Sequence, residues 1–335
     1  MTDVRIGLIG LGAFGESHLR ALRGVPGVTV TAVCSRSLDR AREIAAAWNV
    51  PHAFDDHLGL CDHPGVEAVI VATEESRHVA PTLAALEAGK HVLVEKPLAT
   101  TRDDALAIRA AAATARGRLL PGHIVRFEVR YAAVRDAVAQ GDLGTIAAMH
   151  ATRNRPRATL DTYRRCHPAL VTAIHDIDAM LWISGEKPVT VRGHHRLDDG
   201  PDGVYGVWGT LTFPSGAIAT LEAAWMVPDG AGLANGDTFA VLGTLGSARI
   251  DMAAAGLQIQ VSGRLQIPDA VYEPELHDVT GGALHAELAH FARLVRDPDL
   301  PPVATANDGL NAVIVAEALI QSAERNEEVA IDWPA

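Results

Sequence analysis

The hexapeptide Gly10-Leu11-Gly12-Ala13-Phe14-Gly15 constrains this chain more than any other feature. It joins a short apolar run, Val4–Ile9, to a stretch with helical spacing from about Phe14 to Arg23. In a G-x-G-x-x-G turn the three glycines serve different ends. One makes the tight turn, one lets the backbone approach a pyrophosphate, and one allows close strand–helix packing. The helix that follows offers free N–H groups and the positive end of its dipole to phosphate. The segment is therefore predicted to open a βαβ unit that binds a dinucleotide through Gly10, Gly12, Ala13, Phe14 and Gly15.

The alternation continues along the first third. Val28–Cys34, Glu67–Ala72 and His91–Val94 read as strands, and Leu38–Trp48, Val79–Ala88 and Arg102–Arg116 as helices. Apolar strands without in/out alternation, separated by amphipathic helices, predict a parallel sheet covered on both faces. After about residue 120 the rhythm changes. Helices are expected over Phe127–Ala139 and Ala169–Ile183, with strands at Ile146–Arg153, Val189–His195, Val204–Phe213, Ala217–Ala224, Thr238–Leu242, Ser247–Met252 and Leu257–Val261. Successive strands with short turns predict an antiparallel sheet. Two further helices close the chain, about Leu284–Arg296 and Asp308–Arg325. The expected fold is α/β: an N-terminal Rossmann domain over residues 1–120, and a C-terminal α+β domain over 121–335 with a large open, mainly antiparallel sheet.

A net charge of −12 provides no general field for a nucleic-acid backbone or an anionic membrane. No apolar run approaches the ~20 residues needed to span a bilayer. The three cysteines, Cys34, Cys61 and Cys166, form no CxxC pair, and with a strand-like run directly at the start no signal peptide is expected. A cytoplasmic location is the expectation. The histidines at 57, 63, 167, 194 and 195 lack metal-ligand spacing, so no metal is expected.

About 20 residues beyond the fingerprint an acid normally holds the ribose 2′-OH of NAD. The sequence there is Cys34-Ser35-Arg36-Ser37. Ser35 can hydrogen-bond a 2′-phosphate, Arg36 can pair with one, and Arg40 stands one turn along the next helix. The residues favour NADP over NAD, with use of either left open.

The run Ala88-Gly89-Lys90-His91-Val92-Leu93-Val94-Glu95-Lys96-Pro97, with the fingerprint upstream, resembles the Gfo/Idh/MocA oxidoreductases, the family of glucose–fructose oxidoreductase and inositol dehydrogenase. Gly122-His123 with Arg126-Phe127, Gly141-Asp142-Leu143-Gly144, and His175-Asp176-Ile177-Asp178 with Trp182 extend the likeness over nearly the whole chain. The resemblance implies reversible hydride transfer between a nicotinamide and the hydroxyl-bearing carbon of a sugar, sugar derivative or cyclitol. It also implies a homodimer or homotetramer built through the open sheet face. It makes Lys96 and His175 the catalytic pair, adds Thr73, His78 and Glu95 to the cofactor side, and puts Arg126 on the substrate side. An ordinary lysine, with a pKa of ~10.4, is mostly protonated at neutrality, so service as a base requires burial or a neighbouring cation.

Two departures from the family pattern stand out. Four residues before His175, where the family carries Asp, this chain has Val171; Thr172, Tyr163 or a residue of Arg153-Asn154-Arg155 is then a candidate for the missing polar contact. After the fourth strand, Thr73 is followed by Glu74 and Glu75, read as a solvated helix start or as charge at the cleft edge. The arginines at 153, 155, 157, 164 and 165 form either an anion-holding lid or an exposed loop paired with surface acids. Loss of the acid at 171 leaves room for a catalytically silent, nucleotide-binding sensor. A lone proton donor at Lys96 would also suit an imine or enone reductase.

Overall fold

The computed structural model describes residues 3–197, 203–229, 236–252, 259–261, 264–266, 271–277 and 279–334. They fall into two compact units, Met1–Phe127 with Val271–Leu310, and Glu128–Ala270 with Asn311–Ala335.

The first unit is built on six parallel strands: β1 (Val4–Ile9), β2 (Val28–Cys34), β3 (His52–Phe54), β4 (Ala68–Val71), β5 (His91–Glu95) and β6 (Leu119–Gly122). Their order is β3-β2-β1-β4-β5-β6, so the chain reverses direction across the sheet between β1 and β4. That is the switch point of a doubly wound fold, where ligands bind beyond the carboxyl ends of the strands. Buried Val, Ile and Leu fill β1, β4 and β5, as expected of strands covered on both faces. The connecting helices are α1 (Ala13–Leu22), α2 (Leu38–Trp48), α3 (His57–Asp62), α4 (Val79–Glu87) and α5 (Arg102–Thr114).

Periodicity missed β3, α3 and β6, which are short. Strand β6 pairs with β5 from Val92↔Leu119 to Glu95↔Gly122, so the parallel sheet runs across the boundary expected at residue 120. The single uninterrupted second domain expected over 121–335 is also broken: the small ribbon of β15 (Glu275–Leu276) and β16 (Val279–Thr280), with α9 (Gly282–Arg296), belongs to the first unit. Helix α9 packs on α1 and β1. Its amphipathic pattern announces a buried face, but pattern cannot say which sheet it covers.

The second unit contains β7 (Ile146–Pro156), β8 (Thr190–Leu197), β9 (Val204–Thr212), β10 (Ile218–Val227), β11 (Thr238–Gly243), β12 (Ser247–Asp251) and the final β17 (Glu328–Ala330), in the order β12-β11-β7-β10-β9-β8-β17. Only the β7–β10 pair is parallel. A separate ribbon joins β13 (Ile259–Val261) to β14 (Arg264–Gln266); residues 253–258, which include part of the strand expected at Leu257–Val261, lie outside the described set. The helices are α6 (Val129–Ala139), α7 (Thr159–Tyr163), α8 (Ile174–Ser184) and α10 (Ala306–Arg325), whose residues from Asn311 onward belong here.

One face of this sheet is covered by α8 and the turn before it, and it buries Val207, Leu221, Ala223 and Trp225. The opposite face carries a polar ladder: His150 to Thr220, Asn154 and Trp208 to Glu222. The single helix expected over Ala169–Ile183 is instead a π-helical turn, Ala169–Ala173, running into α8. Among the described residues, no helix is long and apolar enough to cross a membrane.

Candidate active site

In the first unit, the ends of β1, β2, β4 and β5 at the carboxyl edge of the sheet carry the expected cofactor-side residues. Gly10 follows β1 with φ of +103°, and its N–H donates to the Cys34 carbonyl at 3.0 Å. A Cβ at Gly10 would stand 2.3 Å from the Ala72 carbonyl oxygen, and one at Gly15 only 2.1 Å from that of Gly10. Both positions demand glycine. A Cβ at Gly12 would meet nothing within 4 Å. Gly12 is also the N-cap of α1, and no side chain caps the first turn of that helix. This cradle fits a pyrophosphate.

Lys96, half-buried, follows β5 immediately, and its peptide bond to Pro97 is cis. Its backbone is held from two sides. Lys96 N–H donates to Glu95 Oε2 at 3.3 Å, while Glu95 Oε1 lies 2.8 Å from His18 Nε2. His18, on α1, is fully buried and stacks edge-on against Phe14, with ring centroids 5.0 Å apart. From the other side His78, also buried, places Nδ1 2.7 Å from the Pro97 carbonyl oxygen and Nε2 3.1 Å from that of Thr73. Burial lowers the His78 pKa, against the pull of the two carbonyls. The ring of His78 thus lies between the Thr73 carbonyl after β4 and the Pro97 carbonyl after β5.

Under this edge lies a second carboxyl group. Glu287 of α9 is fully buried, and neither of its carboxyl oxygens has a hydrogen-bond partner. Burial, and then the charge of Glu95, raise its pKa well above the ordinary glutamate range.

At the end of β2, Ser35 and Arg36 lie where expected, but not as free phosphate ligands. Arg36 Nη2 is 3.6 Å from Glu74 Oε1, and Arg40 contacts Glu16 at 2.5 Å and Glu43 at 2.9 Å. Arg126, expected on the substrate side, is buried in the first unit, donating to the Val303 carbonyl at 2.9 Å and pairing with Asp308 at 3.1 Å. A guanidinium so engaged ties the turn at Ile124–Phe127 to residues 303–308.

The second unit holds the other expected residues. His175, half-buried, lies in the first turn of α8, directly beyond the π-helical turn. Val171, in that turn, packs with Leu160 and Trp225, and Tyr163, Cys166 and Tyr205 close around them. Thr172 is buried and its hydroxyl accepts the Trp225 indole N–H at 2.9 Å. Tyr163 carries Arg165 over its ring at 5.6 Å.

The arginine cluster does not act as one lid. Arg153 is buried and donates to both carboxylate oxygens of Asp176, at 2.9 and 2.8 Å, and to Asp237 at 2.5 Å. Arg155 also pairs with Asp237, Arg157 lies over Tyr205, and Arg164 reaches Asp161 at 3.8 Å. Burial pushes the Asp176 carboxyl upward while Arg153 holds it down. This cluster fixes the residue next to His175. Motif spacing gives no sign of it, because 84 residues separate Arg153 from Asp237. Among the described residues, no group of three or more side chains could hold a metal ion.

Residues 4–123 match the oxidoreductase family with an NAD-binding Rossmann fold, and residues 131–249 match the GFO/IDH/MocA C-terminal domain. The chain belongs to the GFO/IDH/MocA oxidoreductase family. It is 30% identical over 330 residues to an inositol 2-dehydrogenase of Paenarthrobacter aurescens, covering 95% of this chain and 96% of that one. Inositol 2-dehydrogenase 1 of Saccharopolyspora erythraea is 36% identical over 195 residues, 57% of each chain, so the chain spans little more than half the length of that relative. The fold is shared with scyllo-inositol dehydrogenase from Lactobacillus casei, solved with NAD(H) and scyllo-inositol: TM-score 0.82, 20% identity, 98% of this chain and 99% of that one.

Proposed function

We propose that this protein is a nicotinamide-dependent oxidoreductase acting on a hydroxyl-bearing carbon of a cyclitol or related sugar, with Lys96 and His175 as its acid–base groups. The observation that carries this is the arrangement at the carboxyl edge of the first sheet. An uncapped glycine cradle and Lys96 share that edge, and Lys96 is anchored by Glu95–His18 and, through Pro97, by His78. The inositol dehydrogenases among its relatives support the substrate class.

A bound dinucleotide supplies the hydride donor or acceptor. Gly12 leaves room for its pyrophosphate, Gly10 and Gly15 close the turn beneath it, and the uncapped first turn of the helix at Ala13 and Phe14 would hold it. An alcohol carbon gives up hydride only as its hydroxyl proton leaves, so a positioned base is required. As an amine, Lys96 accepts that proton; as an ammonium, it returns one in reduction. His175 is the acid–base imidazole of the second unit, steadied by the Arg153–Asp176 pair beside it. Val171 offers no proton acceptor, and the Thr172 hydroxyl oxygen already accepts from the Trp225 indole. Ser35 and Arg36 are the residues that speak for NADP, and the pairing of Arg36 with Glu74 speaks against it. The polar sheet face around His150, Trp208 and Glu222 is the surface through which copies of the chain would associate.

The deciding measurement is reduced-nicotinamide absorbance with NAD or NADP against inositols, aldoses and uronates, comparing wild type with Lys96→Ala. Turnover of a polyol that Lys96→Ala abolishes supports the reading. The apolar setting of Val171 favours one second reading, a dinucleotide-binding sensor. Cofactor binding with no turnover on any polyol would select it.

A further inference from the structure

The carboxyl ends of β1 and β2 and the loop after β4 surround the place where a Rossmann domain holds the adenosine ribose. In NAD-binding domains an acid at the end of β2 accepts the ribose hydroxyls; here that position is Ser35-Arg36. Carboxylates reach the same place from other elements. Glu74, after β4, comes within 3.6 Å of the Arg36 guanidinium and also accepts from Arg77 Nε at 3.3 Å. Glu16, in the first turn of α1, lies 2.5 Å from Arg40, whose other terminal nitrogen is 2.9 Å from Glu43.

These pairs have little to do with stability. The Arg36 side chain is 72% exposed and that of Glu74 41%, a setting in which ion pairs contribute little to folding. Their consequence is for ligand choice. A 2′-phosphate carries a charge of about −1.5 to −2. To bind it, Arg36 and Arg40 would have to release Glu74 and Glu16, leaving two carboxylates beside a near-dianion. A ribose 2′-hydroxyl makes no such demand and donates readily to a carboxylate.

We propose that Glu74, supported by Glu16, is the dinucleotide selector of this protein: it accepts the ribose hydroxyls and repels a 2′-phosphate, making the chain selective for NAD(H) despite Ser35 and Arg36. The proposal rests on the dinucleotide reading above. It assigns a role to the glutamate that departs from the family pattern after the fourth strand.

The experiment is equilibrium titration of the full chain with NADH and with NADPH, read by quenching of tryptophan fluorescence and requiring no polyol. Wild type is expected to bind NADH at least about tenfold more tightly. Glu74→Gln, its fold checked by circular dichroism and an unchanged unfolding midpoint, moves the NADH/NADPH preference about tenfold toward NADPH. Arg36→Ala added to that variant removes the gained NADPH affinity. Wild-type preference for NADPH, or an unchanged ratio in Glu74→Gln, overturns the selector. Binding of neither dinucleotide overturns it together with the reading beneath it, whereas selective binding without polyol turnover upholds the selector and sinks only the polyol reading.

Discussion

His18 and Glu95 lie 77 residues apart in sequence and 2.8 Å apart in space, both buried, joining the fingerprint helix to the strand that ends at Lys96. Glu95 accepts from His18 through one oxygen and from the Lys96 backbone N–H through the other. The glycine cradle and Lys96 are therefore held in register by one carboxylate. Replacing His18 by Ala removes one hydrogen-bond partner from that buried group, a loss of about 1–3 kcal/mol. Urea denaturation of His18→Ala should show a loss of that order, and an unchanged midpoint would refute the arrangement.

Glu287 provides a pH test with a defined sign. Its pKa in the folded protein is raised, by burial first and by Glu95 second. A glutamate raised above its unfolded value of ~4.3 contributes stability that is complete below that value and is lost as pH rises toward the folded one. Glu287→Gln has no proton to lose. Its stability relative to wild type should therefore climb as pH rises above that unfolded value, with a limiting slope of ~1.36 kcal/mol per pH unit. Chemical denaturation of both proteins across that range measures the difference, and a flat difference would mean that Glu287 titrates normally.

Arg153 bridges the carboxylates of Asp176 and Asp237, and all three side chains are at most 2% exposed. Arg153→Ala takes the guanidinium from Asp176 and leaves Asp237 to Arg155, so it should cost about 3–5 kcal/mol. Asp176→Asn, which retains hydrogen-bonding capacity, should cost less. Thermal unfolding of the two variants checks the order.

The Thr172 hydroxyl is the acceptor of the buried Trp225 indole. Thr172→Val conserves shape but leaves that N–H unpaired, a loss of about 1–3 kcal/mol. Because the hydroxyl is committed to Trp225, KM for any polyol should stay close to that of wild type. A large rise in KM at unchanged stability would instead make Thr172 a substrate ligand.

Much of the site was legible because it is local. Gly10, Gly12 and Gly15 declare themselves by spacing, and a Cβ at Gly10 or Gly15 would in fact meet backbone. Lys96 follows a buried apolar strand, so its place at the carboxyl edge is settled once that strand is parallel. The helix carrying His175 was legible as well, but not the π-helical turn that sets its phase and turns Val171 toward Trp225.

The sequence by itself determined the alternation of strand and helix, the glycine cradle and the change to an antiparallel sheet, since each follows from periodicity or from the steric limits of single residues. Tertiary structure alone decided which charges meet. Glu74 with Arg36, Glu287 beneath Glu95, Arg126 with Asp308 and the return of α9 to the first unit all join segments whose separation carries no period. The physical reason is that burial and pairing depend on strand order. A sequence records which face of an element is apolar; the order of the sheet chooses what that face, and every charge at its rim, will touch.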